Sequence, residues 1–229
     1  MDRAHVTRAA HNNACWCDAL CRAHGIRGRF DDTAWTSTSR TPPLHPDAIT
    51  LVPEVDVIAL LVRIDSSTGC RVKDSFADLD LARSGFDVIV ESEWIRRRPG
   101  APNGPVSGDS EWLPVTSAEL PAWERAWASD GEPTGLFRPS LLDAVTVLGR
   151  PSADNWDAGA IVNVTDGHVG VSNLFGPADG VDRVWRECVS IIDRLHPGRP
   201  VVGYESGGML AAARGQGFEA IGPLRVWQR

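Results

Sequence analysis

Residues 168–218, HVGVSNLFGPADGVDRVWRECVSIIDRLHPGRPVVGYESGGMLAAARGQGF, carry the clearest succession of secondary-structure signals in the sequence. Branched side chains predict a strand over His168–Phe175 and a short buried strand over Pro200–Tyr204. Between them, Val181–Leu195 has apolar side chains at helical spacing. Gly208–Arg214 predicts a second helix, of two turns. The stretch therefore predicts strand, helix, strand and helix, in that order.

The flanking segments extend this alternation in both directions. Ala158–Val164 predicts a strand, joined to His168 by the turn residues Thr165-Asp166-Gly167, and Ile221–Trp227 predicts the last strand. The N-terminal part is less regular. It predicts a helix with Ala10, Ala14, Cys17, Cys21 and His24 on one face, strands over Ala48–Val52, Val57–Ile64 and Phe86–Ile95, and helices over Leu141–Leu148 and Ser117–Ser129, the latter with Ser117 as N-cap.

The composition is that of an acidic globular protein, with a formal net charge of −7 and 42% hydrophobic residues. Phosphate recognition needs clustered Lys and Arg, so DNA binding is not expected. The one dense basic run, Arg96-Arg97-Arg98, is interpreted as a solvated strand end. No apolar run is long enough to span a membrane, and Met1–His5 lacks the apolar run of a secretory signal. The five cysteines form no secreted framework, so a cytoplasmic location with reduced thiols is expected.

Two windows of the sequence, residues 73–86 and 204–218, resemble each other. With one single-residue gap they share an acid–Ser pair, a Leu, an Ala-Arg pair and a Gly-Phe pair. Two copies of one α/β unit explain this match, and so does chance similarity in a short window. We predict two halves, residues 1–109 and 110–229, divided at the Pro- and Gly-rich stretch Arg97–Asp109.

The order of elements in the last third of the chain resembles the acyl-donor half of the Gcn5-related N-acetyltransferase (GNAT) superfamily. The segments that carry the resemblance are Ala158–Val162, Val169–Phe175, Val184–Leu195, Val201–Tyr204 and Leu210–Phe218. It implies an α/β fold of the α+β type, with a central mixed, mostly antiparallel sheet flanked by helices. It also implies an N-acyltransferase that moves an acyl group from acetyl-CoA or another acyl-CoA to a small-molecule amine.

The resemblance further implies where the substrates bind. In this family two adjacent parallel strands separate, CoA binds the exposed strand backbone, and its pyrophosphate meets the free N–H groups of the next helix. The implied donor-binding residues are Val171, Asn173, Leu174, Phe175, Gly176, Gly180 and Val181. The implied catalytic residues are Glu205, as base for an incoming ammonium, with Tyr204 and Ser172. Glu205 has a second interpretation as an acid at a helix N-terminus, and Ser172 as ordinary strand polarity.

The sequence departs from the family pattern in two places. The pyrophosphate loop, Gly176–Asp182, lacks the usual basic first residue and carries Asp179 and Asp182, either of which is alternatively interpreted as a helix N-cap. The usual tyrosine acid falls on Ala213. Two other interpretations therefore stay open: a transferase whose donor is a carrier-protein thioester or an aminoacyl-tRNA, and a non-catalytic binding protein.

Cysteine chemistry gives weaker hypotheses. Cys17, Cys21 and His24 share a predicted helix face, but no second Cys/His cluster completes a zinc site, so no metal is expected. A hydrolase with Cys70 or Cys188 as nucleophile needs a partnered histidine, and Cys188 falls on the apolar face of a predicted helix.

Overall fold

The computed structural model describes residues 2–101, 103, 111–128, 135–153 and 155–229. Its helices are α1 (Arg3–Ala23), α2 (Val57–Leu61), α3 (Leu120–Trp127), α4 (Val181–Leu195) and α5 (Gly207–Gly215). Its strands are β1 (Gly28–Phe30), β2 (Ala34–Ser37), β3 (Ala48–Thr50), β4 (Arg71–Asp74), β5 (Asp87–Arg97), β6 (Leu113–Pro114), β7 (Thr146–Pro151), β8 (Trp156–Thr165), β9 (His168–Phe175), β10 (Val201–Glu205) and β11 (Phe218–Gln228). Short 3₁₀ helices lie at Ala82–Ser84, Pro139–Asp143 and Ala178–Gly180.

The strands form one sheet of 11 strands in the order β1-β2-β3-β4-β11-β5-β10-β9-β8-β7-β6. Within this sheet β3 pairs parallel to β4 and β9 pairs parallel to β10, while the other pairings are antiparallel. Helix α1 and Trp123 of α3 pack with Val202 and Ile161 on one face. Helices α4 and α5 pack with Val201 and Val162 on the other. The predicted mixed, mostly antiparallel sheet between helices is confirmed.

The middle of the sheet interleaves strands from the two ends of the chain. β11 lies between β4 and β5, and β5 lies between β11 and β10. In the parallel pair β3–β4, which belongs to residues 1–109, β4 pairs on its other edge with β11 from residues 110–229. In the parallel pair β9–β10 of residues 110–229, β10 pairs on its other edge with β5 from residues 1–109. The division into residues 1–109 and 110–229 stays a prediction, and any such halves exchange their last strands.

Helix α1 packs closely on the sheet through small and polar side chains. A Cβ on Gly170 of β9 would lie 2.0 Å from Asn12 Oδ1. The Asn163 side-chain amide donates to the Asn12 carbonyl, and the Asn12 amide donates to the His168 carbonyl, both at 3.2 Å. The absence of a side chain at Gly170 thus fixes the height of α1 above the two parallel strands.

Three local predictions are wrong. Val57–Ile64 is not a strand, because the Asp56 carboxylate accepts the Ala59 N–H and begins α2 instead. Leu141–Leu148 is not a helix: a 3₁₀ turn gives way to β7, where Val147 and Leu148 are buried on opposite faces of the sheet. Helix α3 begins at Leu120, so Ser117 is not its N-cap; position 129 lies outside the described residues.

The interpretation of the basic run Arg96-Arg97-Arg98 as a solvated strand end is wrong for Arg97. Arg97 is 1% exposed, and it donates to the Gln216 carbonyl at 2.9 Å, to the Asp193 carboxylate at 3.0 Å and to the Ala101 carbonyl at 2.5 Å. Its guanidinium joins β5 to α4 and α5 rather than facing solvent. Of the predicted loop Arg97–Asp109, residues 102 and 104–109 lie outside the described residues.

Candidate functional site

The strands β9 and β10 separate after two residues of parallel pairing. Val201 pairs with Val169 and Val202 with Gly170. Beyond them, no pairing joins Val171–Phe175 to Gly203–Glu205, and all of these residues belong to the described part of the chain. The gap expected between adjacent parallel strands is therefore present, and it opens towards the C-terminal ends of both.

A β-bulge shapes the free part of β9. Ile161 of β8 is opposite Ser172 and Gly159 is opposite Phe175, so Asn173 and Leu174 together face one residue of β8. Asn173 has a φ of 53°, in the left-handed region that asparagine tolerates better than most residues. Bulges bend a strand and redirect its side chains, and this one lies in the part of β9 that does not pair with β10.

Two cavities meet at the gap. The α1 cavity, of about 320 Å³, is lined by Asn13, Trp16, Cys17, Leu44–Pro46, Lys73, Trp127, Val171–Leu174, Tyr204 and Glu205. The α4 cavity, of about 370 Å³, is lined by Leu174–Ala178, Val181, Val184, Glu205 and Met209. Leu174 and Glu205 line both. The cavity on the α1 face of the sheet and the cavity beside α4 thus share two lining residues at the opening between β9 and β10.

Glu205 has an unusual environment for a carboxylate. It is the last residue of β10 and is half-buried. Burial raises its pKa to about 7. Among the described residues no side chain forms an ion pair or hydrogen bond with it, and it lies before the N-cap residue Ser206 of α5. A partly desolvated carboxylate with a pKa near neutrality has the properties of a general base.

Tyr204 is held by its ring. The ring meets that of Trp94 edge to face, with centroids 5.5 Å apart, and Lys73 Nζ lies 4.1 Å from its centroid. Ser172 contributes a buried Oγ that has no hydrogen-bond partner among the described residues. Tyr204 and Ser172, with Glu205, line the α1 cavity.

The predicted donor-binding residues divide between the two cavities. Leu174, Phe175, Gly176 and Val181 line the α4 cavity, whereas Val171 and Asn173 line the α1 cavity with Leu174. Gly180 is the N-cap residue of α4 and lines neither cavity.

Helix α4 begins without a capping side chain. No side chain, of Asp179, Asp182 or any other described residue, accepts a hydrogen bond at its cap, so the alternative interpretation of these acids as N-caps is wrong. Asp179 and Asp182 are instead exposed beside the helix start. The 3₁₀ turn Ala178–Gly180 leads directly into α4, and the helix start has no side-chain cap.

Lys73 and His45 line the α1 cavity together with Asn13, although no sequence pattern marked Lys73 or His45 as functional. Lys73 Nζ donates to Asn13 Oδ1 at 2.7 Å, and burial lowers the pKa of His45 to about 4. One signal was available in the composition. Lys73 is the only lysine in a sequence whose other cationic side chains are arginine and histidine.

The remaining candidates stay outside this site or lack the required chemistry. Asp74, the repeat counterpart of Glu205, accepts the Leu79 N–H at 3.1 Å and the Trp227 indole N–H at 3.3 Å. Burial raises the pKa of Cys17 and Cys70 to about 11, which disfavours a thiolate nucleophile. The described residues contain no group of three or more potential metal ligands, and none of their helices is long and apolar enough to cross a membrane.

Comparison with solved structures places this geometry in a known fold. A GCN5-related N-acetyltransferase from Kribbella flavida has a TM-score of 0.67 and 15% identity, covering 97% of this chain and 95% of its own. A functionally unknown conserved protein from Staphylococcus epidermidis has a TM-score of 0.63 and 12% identity, covering 87% and 91%. A putative GNAT-family acetyltransferase from Novosphingobium aromaticivorans has a TM-score of 0.58 and 12% identity, covering 96% and 98%. No protein-family model and no curated protein matches the sequence.

The chain therefore has the GNAT fold over nearly its whole length. At this level of identity the likeness establishes the architecture, and the activity must be argued from the residues at the gap.

Proposed function

We propose that the protein is an N-acyltransferase that moves an acyl group from a CoA thioester to an amine. The observation that carries this proposal is the position of Leu174 and Glu205, which line both cavities at the open end of β9 and β10. A donor in the α4 cavity and an acceptor in the α1 cavity would meet there. Bringing two reactants together in this way supplies a large part of the catalysis of a bimolecular transfer.

The α4 cavity suits the arm of an acyl-CoA. Its lining is mainly apolar, and β9 has no β10 partner beside it from Val171 to Phe175. Strand N–H groups on this edge would hold the thioester arm and stabilise the oxyanion that forms on its carbonyl. The uncapped start of α4 supplies N–H groups and a positive dipole end for the pyrophosphate. Gly176 allows close packing at this point, because a Cβ there would lie 2.5 Å from Val184 Cγ2.

Glu205 is proposed as the general base. Its carboxylate takes a proton from the acceptor ammonium, directly or through a water molecule. The amine nitrogen then attacks the thioester carbonyl carbon, the carbon–sulfur bond breaks, and the departing thiolate takes up a proton. Ser172 and Tyr204 supply hydroxyls in the α1 cavity for this proton movement. Ala213 is buried in the core, so it contributes nothing to the step.

One observation favours a second candidate donor. Asp179 and Asp182 are exposed beside the start of α4, and their charges oppose a diphosphate. A carrier-protein thioester or an aminoacyl-tRNA would place its phosphates elsewhere. A non-catalytic binding protein is the remaining alternative. The cytoplasmic setting that we propose for any of these rests on the five free cysteines.

Thermal unfolding separates these alternatives. We expect acetyl-CoA to raise the melting temperature, since a ligand stabilises the folded state that binds it. Release of free CoA thiol upon addition of an amine panel would then report transfer. A shift with a carrier protein or a charged tRNA alone would favour the second donor class. Stabilisation by acetyl-CoA without transfer to any amine would favour a binding protein.

A further inference from the structure

Lys73 is a buried cation at the α1 cavity. Its side chain comes from β4 into the α1 cavity and is 3% exposed. Within the described part of the chain its one hydrogen bond is to Asn13 Oδ1, and no carboxylate forms an ion pair with it. An ammonium has three donors, so two are left for other groups. Burying an unpaired charge costs several kcal/mol in general, so this arrangement needs a compensating interaction.

Aromatic rings supply part of that compensation. Lys73 Nζ lies 4.1 Å from the centroid of Tyr204 and 6.0 Å from that of Trp94. Cation–π contacts of this kind offset only part of the cost of removing an ammonium from water. The rings also fix the position of the charge beside the strand that ends in Glu205.

The other polar groups of the α1 cavity are suited to a small anion. Asn13 Oδ1 is occupied by Lys73, which leaves its amide N–H groups as donors. His45 has its pKa lowered to about 4 by burial and is therefore neutral. Cys17, with its pKa raised by burial, is a neutral thiol. Among the described residues of the lining, Glu205 is the only one with an acidic side chain, and it also lines the α4 cavity.

We propose that Lys73 and Asn13 bind the carboxylate of the acceptor, so that the acceptor is a small amino acid rather than a simple amine. This inference rests on the proposed function and names its substrate class. Glu205 receives the amine end near the thioester, and Lys73 holds the carboxylate end in the same cavity. The ligand completes the ion pair that the chain lacks.

Transfer assays with matched amines test this assignment. Glycine, β-alanine and 4-aminobutyrate are each compared with the corresponding carboxamide, which lacks the negative charge of the carboxylate. The chain length of the best substrate then gives the distance between the amine and carboxylate sites. Because hydrogen bonds to charged groups contribute about 1.5–3 kcal/mol, we expect the best acid to exceed its amide about 10- to 100-fold in kcat/KM. Lys73→Met should abolish this preference and Lys73→Arg should restore part of it, since arginine keeps the charge. Equal rates for acids and amides in the wild type would overturn the proposal.

The single lysine also gives a readout that needs no turnover. An amine-reactive reagent can modify only Lys73 and the chain's α-amino group, and mass spectrometry separates the two sites. We expect N-acetyl amino acids, but not their amides, to slow modification of Lys73. Protection of Lys73 without any acyl transfer would support the anion site and contradict the proposed transferase activity. Acyl transfer without protection of Lys73 and without a preference for acids would support the transferase and contradict the anion site. Lys73→Met should keep or raise the melting temperature, whereas a structural lysine would lower it when removed.

Discussion

Val202 pairs with Gly170 and is the last residue of β10 to pair with β9. Beyond this pair lie the bulge at Asn173 and the two cavities that Leu174 and Glu205 line. The same Gly170 carries the close contact with α1. The point at which the strands separate is therefore also the point that positions the wall of the α1 cavity.

Replacement of Glu205 should separate catalysis from binding. Glu205→Gln keeps the size of the side chain and removes the base, so we expect kcat to fall about 100-fold or more, in the range found for general bases. Acetyl-CoA should still raise the melting temperature of the variant. Glu219→Gln, at an exposed carboxylate on β11, is the matched control and should retain full activity. A Glu205→Gln enzyme with wild-type kcat would remove the base from the mechanism.

The pH dependence follows from the raised pKa of Glu205. The base must be ionised, so kcat/KM should rise with pH and level off above about 7. Stability should change in the opposite direction, because a carboxyl with a raised pKa in the folded state favours folding when protonated. This contribution is complete below the unfolded pKa of 4.5 and is lost as the pH rises through about 7. Urea unfolding across this window should show a smaller decline in Glu205→Gln than in the wild type.

Removal of the acids beside α4 should strengthen the binding of acyl-CoA rather than weaken it. Replacing Asp179 and Asp182 by Asn removes two charges near the uncapped helix start. Acyl-CoA should then bind several-fold more tightly at low salt, because each charge near a helix terminus changes the free energy by about 0.3–1 kcal/mol. The gain should shrink as the ionic strength rises. Asp32→Asn, an exposed acid between β1 and β2, serves as control, and calorimetric titration measures the affinity. Unchanged affinity would place the diphosphate away from α4.

Gly170 should tolerate no side chain. The added methyl of Gly170→Ala would overlap Asn12 Oδ1 and Asn163 Oδ1, so these two buried amides must shift, and such overpacking costs about 1–3 kcal/mol. Gly208→Ala is the contrasting variant, because its Cβ would meet nothing within 4 Å inside α5. That change should stabilise the protein by up to about 1 kcal/mol. Denaturant titration of both variants decides whether the contact with α1 is as close as described.

The sequence predicted an element correctly where the spacing of its apolar residues agreed with the turn residues at its ends. The strand His168–Phe175 and the helix Val181–Leu195 have the predicted bounds, since each has a regular apolar pattern and ends at turn residues. Val57–Ile64 has an equally apolar composition, but it begins a helix because the Asp56 carboxylate accepts the Ala59 N–H as an N-cap. Short apolar runs do not distinguish the two states by pattern alone.

The site was less accessible to this kind of reasoning. Glu205 ends a recognisable strand, so its position at a sheet edge followed from the order of elements. Lys73 lies 132 positions before Glu205 in the sequence. Its contact with Tyr204 depends on the strand order, which leaves only β11 and β5 between β4 and β10. Likewise, burial decides that Arg97 is internal while its neighbour Arg98 is largely exposed. Such relationships depend on strand order, which local pattern does not contain.

The interleaving of β11 between β4 and β5 also constrains how the protein is made. During synthesis the nascent chain carries β4 and β5 long before the strand that must lie between them emerges from the ribosome. Until then both leave open edges, which invite association with other chains. Folding must therefore wait for the last residues of β11. A nascent chain stalled short of that strand would need a chaperone to stay unaggregated.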